Sequence, residues 1–255
     1  MSDISTTSLA AVGERLRVGF VLSRSLEIYL RNFSKFFALG AVMGLPTLVT
    51  AIYVYDISRM ALTKPRGIVF PFEMGFLLLW LLIFTLSQST MTHAVFQDIR
   101  DRHFDLGASV ARGLRRFFPV IVTSTYAFFI VIIGMFLVIV PGFIAFIILF
   151  VVIPVCVVEG LGPGASIKRS LELTKGQRWR ILAIYLVPAI VITIWNTLVQ
   201  RLGLRVFGVP GYAAGIFLIA SIGGSYQAIA NIVTYHDLRG VKEGLHIEQL
   251  AAVFD

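Results

Sequence analysis

Five long uncharged stretches alternate with short basic segments along the chain. A helix that crosses the roughly 30 Å hydrocarbon core of a bilayer needs about 20 apolar residues. Phe36–Tyr55 meets that length without a charge, and so does Met74–Phe96, with His93 near its end. The third stretch, Phe117–Val158, is 42 residues long. As one helix it would measure about 63 Å, so the pattern predicts a hairpin. Pro141-Gly142 marks the turn, giving spans at 118–140 and 143–158. Ile181–Gln200, with Pro188 inside it, and Gly211–Tyr235 complete the set. The expected architecture is all-α and polytopic, a single membrane domain over 1–255. Its six spans lie at 36–55, 74–96, 118–140, 143–158, 181–200 and 211–235.

The basic segments fix an orientation. With six spans, the segments that share a side with the termini carry seventeen Lys and Arg, and those on the other side carry five. Cytoplasmic loops collect positive charge, so both termini are expected in the cytoplasm and the chain in the cytoplasmic (inner) membrane. The same count accounts for the net charge of +8 without any nucleic-acid partner. Residues 1–12 are Ser/Thr-rich and lack a basic n-region, so they read as a flexible tail and not as a cleaved signal; 237–255 read as a cytoplasmic tail.

Three basic segments resemble one another. Gly19, Gly107 and Gly164 each precede an arginine by five residues (Arg24, Arg112, Arg169) and a leucine by seven (Leu26, Leu114, Leu171). On a helix Val18, Leu22, Leu26, Tyr29 and Phe33 form an apolar stripe opposite Arg17, Arg24, Glu27 and Arg31. This predicts helices within 13–35, 103–116 and 164–175 lying in the interface, with the stripe towards acyl chains or the bundle and the arginines towards headgroups or acidic groups. The even-numbered spans end on acidic residues, Asp98, Glu159 and Asp237, and in that register Gln88 matches Gln227. The unit is therefore read as three helical-pair repeats, each an interfacial helix, two spans and an acidic exit. Glu159 is expected to pair with Arg169, with analogous pairs elsewhere.

These residues also carry a resemblance. Pro141-Gly142, Glu159, the run from Ala165 to Gly176, Arg178-Trp179 and the ending Tyr235-His236-Asp237-Leu238-Arg239 with Glu243-Gly244 resemble the membrane domain of the glycerophosphoryl diester phosphodiesterase family. The resemblance implies a stand-alone member without the soluble phosphodiesterase that some relatives carry, and hence no enzymatic activity to transfer.

Candidate chemistry is sparse. No Asp, Glu, Lys or Arg falls within the six spans, where such residues usually mark ion or proton pathways. No His-Glu-x-x-His occurs, and His93, Asp98 and His103 make only a weak ligand grouping, so no metal or cofactor is expected. Cys156 reads as a small buried hydrophobe. Uncharged polar residues are more frequent. Ser87–Thr92, with Gln88, occupy span two; Asn196 sits in span five; Ser221, Ser225, Gln227 and Asn231 run along span six. Such groups commonly bond across helices; the alternative is a polar path or headgroup slot between spans two and six. Gly40, Gly44, Ala220, Gly224 and Ala228 suggest close helix packing. The expected function is a non-catalytic envelope scaffold or lipid-associated accessory module. The alternative is a transporter or flippase for a lipid or amphiphile. Expected partners are membrane lipids, another membrane protein or a second copy of the chain.

Overall fold

The computed structural model describes residues 16–60, 66–99 and 106–243. The predicted tail 1–12 and most of 237–255 lie outside them. Among the described residues ten helices follow in chain order: α1 (Val18–Arg31), α2 (Phe33–Met60), α3 (Arg66–Ile99), α4 (Leu106–Arg115), α5 (Phe117–Leu137), α6 (Ile139–Ile148), α7 (Val152–Glu159), α8 (Pro163–Thr174), α9 (Arg178–Val206) and α10 (Gly208–Glu243). Within the described residues six stretches are long and apolar enough to cross a membrane: Phe33–Ala51, Leu79–Ile99, Phe117–Leu137, Val140–Glu159, Arg178–Gly203 and Gly208–Glu243. The chain is an all-α, multi-pass membrane protein.

Three boundaries differ from expectation. The hairpin turns at Val138, not at Pro141-Gly142. Val138 is extended, with φ −157° and ψ 135°, and its N–H donates to Gly134 O at 3.1 Å. Pro141 instead stands in the first turn of α6, where a missing N–H leaves no helical bond unmade. A Cβ added to Gly134 would lie 2.9 Å from Gly142 Cα; these glycines let the two arms meet. Second, span four is not one helix. It unwinds over Leu149–Val151 between α6 and α7, because Pro154 offers no N–H to the carbonyl of Phe150. Third, span six continues unbroken to Glu243, so the first part of the expected tail is helix.

The core lies towards the acidic exits. Phe36, Met91, Val95, Val155, Leu173, Ile184, Ile229 and Tyr235 share one buried cluster. The far ends of the arms, Phe128, Phe129, Phe136 and Leu137 on α5 and Ile194, Trp195 and Leu198 on α9, are exposed, as expected of surfaces meeting hydrocarbon. Span one packs closely on span six. A Cβ on Gly44 would fall 2.5 Å from Ser221 Oγ, and one on Gly40 would overlap Ser225 Oγ. The facing small residues are thus Ser221 and Ser225. Gly224, expected there, has only Met43 Cε within reach, at 3.9 Å.

The three short helices form where expected, and of the two surroundings expected for the apolar stripe its leucines take the outward one, while Tyr29 is buried. Leu26, Leu114 and Leu171 are 47%, 54% and 44% exposed. The residue before each, Ser25, Gly113 and Ser170, is buried, as is the residue four earlier, Val21, Ser109 and Ser166. The physical reason is the solvent. Leucine gains little by leaving hydrocarbon for a protein interior, whereas small residues let helices approach closely.

Candidate functional site

The three acidic exits gather basic and polar groups from the short helices. Asp98, at the end of α3, is only 6% exposed. Arg31 Nη2 donates to its Oδ2 at 2.6 Å and to its backbone carbonyl at 3.2 Å, and Asn32 Nδ2 donates to Oδ1 at 2.7 Å. Glu159, ending α7, accepts from Arg169 Nε at 3.2 and 3.1 Å and from the Tyr235 hydroxyl at 2.9 Å. Arg169 also pairs through Nη2 with Glu243, whose other oxygen accepts from Arg239 Nε at 2.6 Å. Asp237, on α10, faces Arg24 Nη1 at 3.6 Å and His236 Nδ1 at 3.4 Å. Partly buried carboxylates at a membrane boundary need such partners to offset lost hydration.

Two of the arginines singled out by the sequence, Arg24 and Arg169, therefore point at acidic exits and not at free headgroup positions. Each pairs across units: the short helix of one holds the exit of another. Asp98 breaks the analogy, since Arg31 and Asn32 hold it. The side chain of Arg112 lies outside the described ones. Sequence reasoning missed Arg31 as the partner of Asp98, although it follows Arg24 by seven residues on the same basic face. It missed Glu243 because span six was ended too early. Nearby on α1, the Tyr29 hydroxyl is buried without a hydrogen-bond partner, and burial pushes that phenol above the usual tyrosine range.

The intramembrane polar residues divide. Asn231 Nδ2 donates to Phe150 O at 2.7 Å, and Ser170 Oγ donates to Ile148 O at 2.6 Å. Both carbonyls border the unwound turn of span four, so two side chains supply donors there. Non-helical backbone at membrane depth survives only when so satisfied. One turn from Asn231, both amide atoms of Gln227 are buried with no hydrogen-bond partner, as is Asn231 Oδ1. Gln88 is half-buried and makes no bond to Gln227. The hydroxyls of Thr90 and Thr92 return to carbonyls of their own helix, Leu86 at 2.9 Å and Gln88 at 2.8 Å. Ser225 Oγ reaches Phe36 O at 3.1 Å. Asn196 does not join this set: it is exposed near the far end of α9, because α9 packs on α10 through Ile192 and Val199 instead.

Among the described residues no three His, Cys, Asp or Glu side chains come together to hold a metal; His103 lies outside them. Cys156 is buried, with Sγ 3.4 Å from Thr123 Oγ1 and 3.5 Å from Leu161 O. No protein-family model, curated protein or solved structure matches the chain.

Proposed function

We propose that this protein is a non-catalytic scaffold or accessory module of the cytoplasmic membrane. In this reading it associates with lipid, has both termini in the cytoplasm, is built from three repeats, and belongs with the membrane domains it resembles. One observation carries the reading. The charged and polar groups that the fold pairs serve architecture: Arg24, Arg31 and Arg169 the exits, Ser170 and Asn231 Nδ2 the break in span four. The exposed Leu26 and Leu171 stand two residues from Arg24 and Arg169 of these ion pairs, the pattern of helices sunk at a lipid surface. Extracting the full chain in mild detergent, washing away bulk lipid and identifying what stays bound by mass spectrometry tests this. Retained phospholipid or a stoichiometric membrane partner is expected; a bare protein would contradict it.

A second reading, transport of a lipid or amphiphile, is favoured by one feature. Broken helices near the middle of a membrane often border substrate sites, and here the break lies beside the unpartnered amide atoms of Gln227 and Asn231. The two readings part on whether reconstituted protein moves lipid between leaflets.

A further inference from the structure

A groove of about 340 Å³ lies between α1, α9 and α10, lined by residues that include Leu26, Tyr29, Pro188, Val191, Gly223 and Tyr226. Every lining residue except the two tyrosines and Gly223 is apolar. It is open along one side, where Val191 is 62% exposed. It sits on the membrane-crossing part of α9 and α10, and Leu26 and Tyr29 of the short helix α1 complete its lining. The two tyrosines differ. Tyr226 donates to Leu22 O at 3.1 Å, while Tyr29, 4% exposed, has a hydroxyl with no partner.

We propose that this groove holds one acyl chain of an ester-linked glycerolipid, with the lipid's ester carbonyl accepting a hydrogen bond from Tyr29. The inference rests on the lipid-associated reading and gives it a site. Three observations select the occupant. The lining is apolar at a depth where the surrounding solvent is itself acyl chain. The volume is at the lower end for ligand pockets, enough for the glycerol-proximal part of one acyl chain, whereas a partner helix about 10 Å across would need a broad face. The unused phenol of Tyr29, among the lining residues of α1, supplies a single donor. That matches a lipid, which has acceptors at its glycerol end and none along its chain. A buried hydroxyl without a partner is unfavourable, and an ester oxygen would satisfy it.

The test reconstitutes the full chain in phosphatidylethanolamine–phosphatidylglycerol vesicles with a trace of phospholipid bearing a photoreactive group on its acyl chain, and maps the adducts. Adducts on residues 187–192 and 222–226 are expected several-fold above those on Phe128, Phe129 and Ile133, which are equally open to lipid. Val191→Trp, at the exposed lip, should bring the groove down to that background with the thermal transition unchanged. Tyr29→Phe should lower the yield with an ester-linked probe and leave an ether-linked probe unaffected. Even labelling of both surfaces, labelling indifferent to Val191→Trp, or a groove protected by another protein would overturn the proposal. If lipid co-purifies yet labels evenly, the groove fails and the lipid-associated reading stands; if none co-purifies, both fail.

Discussion

At the scale of single residues, the three exits rank by geometry. Asp98 is the most buried and has the shortest bonds, 2.6 and 2.7 Å; Glu159 holds Arg169 at 3.1 Å; Asp237 meets Arg24 only at 3.6 Å. Losing a charge-assisted bond costs about 1.5–3 kcal/mol, and a more exposed pair less. Thermal unfolding in lipid should therefore order the variants Asp98→Asn, Glu159→Gln, Asp237→Asn from most to least destabilised. A reversed order would contradict the assignment of partners. The acidic residues and Arg24 and Arg169 were legible as a set because burial next to a membrane leaves a carboxylate few alternatives to a cation. The partner of Asp98 was not, since choosing between Arg31 and Arg112 requires knowing how far the chain turns at Asn32.

Among elements, what the sequence conveyed well was length and charge; what it conveyed poorly was which face packs. Six spans and three short helices follow from where uncharged runs begin and end. The turn at Val138 and the break at Leu149–Val151 were hidden because proline has two meanings, a terminator or a tolerated first-turn residue. Pro141 is the second, while Pro154, inside a run that read as one helix, marks the break. Which of the two apolar surroundings the leucines face was left open, because apolar periodicity reports burial from water and does not tell acyl chains from the bundle. Their outward position gives an inverted expectation. Leu26→Ala, Leu114→Ala and Leu171→Ala should each change stability by less than about 0.5 kcal/mol, as surface changes do. Gly44→Val and Gly113→Val should cost about 1–3 kcal/mol or more by overpacking, since a Cβ at either would fall 2.5 Å from a hydroxyl oxygen of the facing helix. Equilibrium unfolding in mixed micelles measures both sets; a larger loss from the leucines would refute this packing.

For the whole molecule, the proposed orientation rests on the distribution of Lys and Arg. In a Cys156→Ser background, cysteines placed at Ala10 and Val253 should react with an impermeant maleimide only from the cytoplasmic side, and labelling of either from outside would reverse the topology. The central claim, that polar groups hold the assembly together and do not conduct a substrate, meets its most direct test in vesicles. Fluorescent phospholipid in the inner leaflet of proteoliposomes should reach an external quencher no faster than in protein-free vesicles, with or without Asn231→Leu. Acceleration by the wild-type chain that Asn231→Leu abolishes would contradict the account and make the broken span four a working part of a lipid transporter.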